Sequence, residues 1–136
     1  MTQEEKELLI KDLCSRLPYE CIISIAEGGI DGIQWADVTL NSYLFHQIME
    51  EDAWEYVKPY LRPMSSMTEE EDAEIANILE EAYNFTFRTE ELLENISMQK
   101  TFPMAAIDWF YEKGFDIRGL IPKGLALESM ESMYKN

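Results

Sequence analysis

The sequence has little of what catalytic and nucleic-acid-binding proteins use. Its 136 residues include one histidine, two cysteines, and 11 basic against 27 acidic residues, a formal net charge of −16 at pH 7. Because phosphate binding needs clustered lysine and arginine, we expect no direct contact with nucleic acid. No apolar run approaches the roughly 18 residues of a membrane span, and MTQEEKELLI lacks the basic-then-apolar order of a signal peptide. We therefore expect a cytoplasmic protein without a membrane partner.

The same scarcity argues against an enzyme. Nucleophilic catalysis through histidine would have to use His46, and no serine or cysteine lies in a supporting motif such as G-x-S-x-G. One histidine with Cys14 and Cys21 cannot form a tetrahedral zinc set without carboxylates. We expect both cysteines to be buried thiols, with a structural disulfide as the alternative. The glycine-rich residues 28–32 lack the lysine of a phosphate-binding loop and predict a turn between strands. The sequence thus predicts no catalytic residue, no metal and no cofactor.

What is present is enough apolar sequence for one core: 46% hydrophobic residues, including 12% aromatic residues. Residues 1–17 predict a helix, capped by Thr2 and ended by Pro18, with Leu9 and Leu13 on its apolar face. Residues 20–57 predict a small antiparallel sheet, with strands at 20–27, 33–40, 43–49 and 53–57. For the third strand the alternative is a helix that begins at Ser42 and runs to Val57. For the sheet, a curled, barrel-like form is an alternative.

The second half predicts helices. Residues 58–67 hold two prolines and two serines and predict an extended connector, and residues 68–114 predict a helical region. Thr68 and Glu71 form a capping-box pattern at its start, a further helix is expected at 89–98, and Gly114 is a natural stop. Residues 115–136 predict a turn-rich tail that packs back on the sheet. The fold class is therefore α+β in a single domain, residues 1–136.

The acidic residues are concentrated in one region. Residues 67–98 carry ten acids and one base, whereas residues 99–136 carry five of each. Paired acids can hold Mg²⁺ or Ca²⁺, but the spacing does not match the calcium-binding loop, and acids in a first helical turn are also explained by the helix dipole. For Arg118, a bend held by an Asp116–Arg118 pair and a recognition role are both open. The candidate partner-binding residues are Glu69, Glu70, Glu71, Glu74 and Arg118.

Three stretches also carry a family resemblance. They are the opening MTQEEKELLIKDLCSRLPY, residues 57–71 (VKPYLRPMSSMTEEE), and IDW at 107–109 followed by FDIRGLIPKGLALE at 115–128. Together they resemble a group of short uncharacterised proteins of gut anaerobic bacteria and their phages and mobile elements. In these relatives the helix before Phe115 commonly ends in a histidine pair, whereas this chain has Glu112-Lys113-Gly114. The resemblance implies a small accessory protein of phage or mobile-element type, with no activity to transfer.

These observations favour a non-catalytic protein-interaction module that binds a basic protein. A sharper alternative is an acidic nucleic-acid mimic that inhibits a basic host protein. A carboxylate enzyme with a divalent metal and a self-assembling accessory protein are further alternatives. Among Trp35, Trp54 and Trp109, two exposed on one surface would indicate a binding patch.

Overall fold

A computed structural model describes residues 1–30, 35–83 and 104–130 of the chain. This part has the predicted α+β architecture, beginning with a helix. Its helices are α1 (Gln3–Arg16), α2 (Ser42–Glu51), α3 (Glu69–Tyr83) and α4 (Met104–Glu112), with short 3₁₀ turns at Trp54–Tyr56 and Met64–Ser66. Its strands are β1 (Ile22–Ile25), β2 (Ala36–Thr39), β3 (Val57–Leu61) and β4 (Leu127–Glu128).

Helix α1 confirms the prediction for the N-terminus. The Thr2 hydroxyl accepts a hydrogen bond from the Glu5 amide at 3.1 Å, and the Glu5 carboxylate accepts one from the Thr2 amide at 2.9 Å. This capping box satisfies amides that the first helical turn cannot pair internally. Leu9 and Leu13 are fully buried and join α1 to the sheet in one apolar cluster.

The four strands form one open sheet in the order β2-β1-β3-β4. β1 pairs antiparallel with β2 and with β3, whereas β4 pairs parallel with β3. The barrel-like alternative is therefore wrong, because the sheet does not close. The sheet is mixed instead of purely antiparallel because the tail returns alongside β3 in the same direction. This return confirms that the tail packs back on the sheet.

The predicted third strand at 43–49 is wrong, since α2 occupies it. The Asn41 side chain caps this helix by accepting a hydrogen bond from the Leu44 amide at 2.7 Å. The alternative prediction, a helix from Ser42 to Val57, has the right start but is too long. Asp52 takes a left-handed conformation with φ of 50° and ends the helix. Residues 53–57, predicted as a fourth strand, are mainly the Trp54–Tyr56 turn.

The connector predicted from residue 58 is also wrong over its first half, where β3 is a central strand. A hydrogen bond joins the Ala26 amide to the Tyr56 carbonyl, so in this antiparallel register Pro59 lies at a non-hydrogen-bonded position opposite Ile23. The Pro59 nitrogen, which carries no hydrogen, consequently points away from β1. The pairing with β4 covers only Tyr60 and Leu61 of β3, so Pro59 lies outside it and interrupts no hydrogen bond of that ladder.

Helices α3 and α4 build a second apolar cluster. Ile75 and Leu79 of α3 pack against Ala106 and Phe110 of α4, and Phe115 lies in the same cluster. Gly114 has φ of 79° and ends α4 as predicted. The predicted helix at 89–98 and residues 31–32 of the predicted glycine turn lie outside the described residues.

Candidate functional site

The predicted acidic site lies at the first two turns of α3. Its Thr68–Glu71 capping box is confirmed: the Glu71 amide donates to the Thr68 hydroxyl at 3.2 Å, and the Thr68 amide donates to the Glu71 carboxylate at 3.0 Å. This cap fixes the start of the helix and hence the positions of the acids around it. The structure divides those acids into two groups, two that bind other parts of the fold and three that face solvent.

Glu71 belongs to the first group because it is paired with Arg62. The two guanidinium nitrogens donate to its two carboxylate oxygens at 2.6 and 2.7 Å, a bidentate pair with side chains 16% and 13% exposed. The hydrogen bonds from Arg62, followed by those from Thr68, lower the pKa of Glu71 from 4.5 to about 2. Arg62 also lies 4.2 Å above the Phe115 ring and thereby ties the start of α3 to the second core cluster.

Glu74 is also used within the fold. Its carboxylate accepts a hydrogen bond from the indole nitrogen of Trp109 at 3.0 Å and lies 3.9 Å from the Lys113 ammonium group. Both partners belong to the α4 region, so Glu74 joins the two helices across the second cluster. Its side chain is 52% exposed, so it borders the acidic surface while satisfying a nearly buried tryptophan.

Three acids on the first two turns of α3, namely Glu69, Glu70 and Asp72, remain exposed. In the described part of the chain, none of them makes a side-chain hydrogen bond or an ion pair. Glu80 and Glu81 are exposed in the same way at the other end of α3. We name Glu69, Glu70 and Asp72 the α3 acidic surface.

Arg118 lies elsewhere, and the predicted Asp116–Arg118 pair is wrong. Asp116 holds the bend by accepting hydrogen bonds from the amides of Leu120 and Ile121 at 2.8 and 2.9 Å. Arg118 instead donates to the Ser15 hydroxyl at 3.1 Å and the Tyr111 hydroxyl at 2.9 Å. The structure therefore does not bring Arg118 together with the α3 acids.

Sequence reasoning missed the network to which Arg118 belongs. Asp12 and Arg16, one helical turn apart on α1, form a buried ion pair at 2.7 Å. Arg16 also donates to the Phe115 carbonyl at 2.8 Å, and Arg118 lies 3.4 Å from Asp12. Burial opposes the charge on Arg16, but Asp12 more than compensates and raises its pKa. The i,i+4 spacing of aspartate and arginine was the available signal.

The remaining predicted features have ordinary surroundings. His46 is 70% exposed on α2, where its imidazole lies 3.0 Å from Glu50, and no other described group suggests a catalytic arrangement around it. Cys21 is buried as expected, but Cys14 is exposed, so the expectation of two buried thiols is wrong for Cys14. Trp54 and Trp109 are buried and only Trp35, 61% exposed, faces solvent, so the condition for a binding patch, two exposed tryptophans on one surface, is not met.

The described residues contain no cluster of three or more metal-ligating side chains. One open groove of about 410 Å³ runs along α1 and is lined by Glu7, Ile10, Lys11, Cys14 and Ser15. Its lining combines one acid and one base with an aliphatic side chain, a thiol and a hydroxyl on a single helix. Within the described ranges, no helix is both long and apolar enough to cross a membrane.

Comparisons with family models, with curated proteins and with solved structures found no match to this chain. The candidate site therefore rests on the geometry of the chain itself.

Proposed function

We propose that this chain is a non-catalytic protein-interaction module whose α3 acidic surface binds a basic partner protein. The observation that carries the proposal is the division of the α3 acids. Glu71 and Glu74 are paired with groups of the fold, whereas Glu69 and Glu70 are exposed and have no pairing base among the described residues. Unpaired surface charge of one sign steers a partner of the opposite sign and speeds its association.

The placement of the basic side chains supports the proposal. All three arginines in the described part are turned to internal contacts: Arg16 and Arg118 to Asp12, and Arg62 to Glu71. These three arginines are therefore already engaged within the fold and do not pair with the exposed acids of α3. A partner approaching α3 meets carboxylates without competing guanidinium groups.

The proposed setting is the cytoplasm, as an accessory protein of phage or mobile-element type. In that setting a basic partner includes the nucleic-acid-binding proteins of a host, so mimicry of nucleic acid is a special form of the same proposal. The acidic side chains would then occupy positions that phosphates take in the partner's usual complex.

The test uses two variants with equal changes in net charge. Glu69→Lys with Glu70→Lys reverses two of the three acids of the α3 acidic surface, and Glu80→Lys with Glu81→Lys reverses two exposed acids at the far end of the helix. Glu71 and Glu74 are left intact because their loss would damage the fold. A partner captured by crosslinking and then purified is titrated against each variant by calorimetry at low and high salt.

We expect the first variant to lose at least about tenfold in affinity and the second to stay within about twofold, with salt weakening the wild-type complex. Thermal melts check that each variant is folded, because lysine in a first helical turn opposes the helix dipole. Equal affinities for the two variants, or wild-type affinity for the first, would refute the proposal.

A further inference from the structure

The outer edge of the sheet at β2 has the features of a strand-binding site. β2 is the first strand in the order β2-β1-β3-β4, so its other side has no neighbouring strand in the described part. The Leu40 amide donates to the Cys21 carbonyl, which makes Cys21 and Leu40 a hydrogen-bonded pair. Antiparallel pairs alternate, so Val38 and Ala36 bond to β1, whereas the amides and carbonyls of Asp37 and Thr39 point outward.

The β2 edge carries no lysine, no proline and no bulge. Sheet edges are commonly protected by these features, by short length or by charge; β2, Ala-Asp-Val-Thr in an unbroken register with β1, has only its four-residue length and the Asp37 carboxylate, which repels an acidic strand but not a basic one. Asp37 and Thr39 are exposed, and no hydrogen bond joins their outward backbone groups to a described residue. An extended peptide could therefore add as one more strand by main-chain hydrogen bonds.

Side chains at this edge indicate which peptide it would be. Trp35 is 61% exposed and lies in the bend directly before β2, two residues ahead of Asp37. Asp37 is exposed, and one of its oxygens accepts a hydrogen bond from the Tyr60 hydroxyl at 3.1 Å, which orients the carboxylate. A basic side chain opposite Asp37 would meet the carboxylate, and the exposed indole at the start of the edge offers a second contact that favours a cation.

We propose that the β2 edge binds an extended basic segment of a partner protein as an added strand. The segment alternates arginine or lysine with apolar residues, so that its bases lie over Asp37 and Trp35 and its apolar side chains meet the half-buried Ala36 and Val38. A second copy of this chain fits less well. Each copy carries a net charge of −16, and the symmetric pairing centred on position 37 sets two aspartates opposite each other.

The test uses the full chain and a synthetic eight-residue peptide of alternating arginine and valine. Hydrogen exchange by NMR should show the amides of Asp37 and Thr39 becoming protected as the peptide is added, with a change in the Trp35 indole signal. A peptide of alternating glutamate and valine should produce neither effect. These readouts report pairing at β2 itself and not general attraction to an acidic protein.

Two substitutions at Thr39 separate strand addition from simple charge attraction. Thr39→Pro removes an outward amide that β1 does not use, so the sheet is kept while about tenfold in affinity for the peptide is lost. Thr39→Val keeps the amide and should bind like wild type. Equal binding to both variants, or no protection at saturating peptide, would overturn the inference.

Protection of the same amides without peptide, rising with protein concentration, would identify a second copy as the occupant and would equally overturn it. The inference does not depend on the α3 acidic surface. The Glu69→Lys, Glu70→Lys variant should show the same protection at Asp37 and Thr39. The two proposals are therefore tested independently, and the failure of one does not affect the other.

Discussion

Replacing Glu71 by glutamine should destabilise the protein in a way that depends on pH. The substitution removes the charge that Arg62 pairs with at 2.6 and 2.7 Å, while the glutamine oxygen can still accept the Thr68 amide of the capping box. The variant therefore separates the ion pair from the helix cap. Glu70→Gln is the matched control, since Glu70 is exposed and adjacent to Glu71 on the same helical turn.

The pKa of Glu71 sets the size of the effect. A carboxyl group whose pKa falls from 4.5 to about 2 on folding contributes at most about 3 kcal/mol at neutral pH. The pair is partly open to water, which screens it, so we expect Glu71→Gln to lower the free energy of unfolding by about 1–2 kcal/mol at pH 7. Because the folded-state pKa is lowered, this contribution is present above pH 4.5 and is lost as the pH falls toward 2.

The measurement is urea unfolding of wild type and both variants between pH 7 and pH 3, followed by the fluorescence of the buried tryptophans. Other carboxyl groups titrate in all three proteins, so the difference between wild type and Glu71→Gln isolates this site. That difference should shrink below pH 4.5, and Glu70→Gln should stay within about 0.5 kcal/mol of wild type throughout. A difference that is constant over this range would show that the Arg62–Glu71 pair does not stabilise the fold.

Two further predictions concern the contacts around α1. Asp12→Ala leaves Arg16 without its buried partner and should lower the free energy of unfolding in urea by about 3–5 kcal/mol. Glu4→Ala, on the exposed face of α1, should change it little. A decrease below about 1 kcal/mol for Asp12→Ala would contradict the prediction. The 2.5 Å hydrogen bond to Asp108 raises the pKa of Tyr19 to about 12, so ultraviolet titration should show a late tyrosine whose pKa Asp108→Asn returns toward 10. Burial and the hydrogen bond to Asp37 also raise the pKa of Tyr60, so the difference between wild type and Asp108→Asn is what assigns Tyr19. Because the pKa is raised, this bond stabilises the fold below pH 10 and is lost as the pH rises through about 12.

Elements with strong local signals could be predicted from the sequence. The capping boxes of α1 and α3 use residues three apart, and Gly114 supplies the left-handed conformation that ends α4. In each case the stabilising groups lie within one turn of the boundary. No knowledge of the remaining fold is needed to place such an element.

Helix α2 shows why a short amphipathic segment is harder. Between residues 43 and 49, aromatic and aliphatic side chains occupy positions that fit either an alternating strand or a helix with one buried face. Ile48 is fully buried in this helix, and Leu44 and Phe45 are partly buried against the same core cluster. The deciding signal was Asn41, whose side chain caps the first turn.

Strand β3 and the candidate site depended on contacts between distant parts of the chain. A proline within residues 57–61 argues against a central strand, because proline has no amide hydrogen to donate. The strand is still possible where the proline nitrogen points away from the neighbouring strand. Only the register with Ile23 shows that this is the case here. The acid cluster on α3 was visible in the sequence. Its division was not, because Glu74 is used by Trp109, 35 residues away along the chain.

The inward arginines change how the charge of this protein should be interpreted. The net charge of −16 is set by the composition, but Arg16 and Arg62 are held within the fold beside Asp12 and Glu71, so they do not lie among the exposed acids of the surface. Any basic molecule will be attracted to such a surface, and attraction alone does not identify a site. A binding site must therefore be distinguished from general electrostatic attraction by matched variants. The pairs Glu69/Glu70 and Glu80/Glu81 change the net charge equally at two places, and the substitutions at Thr39 change no charge.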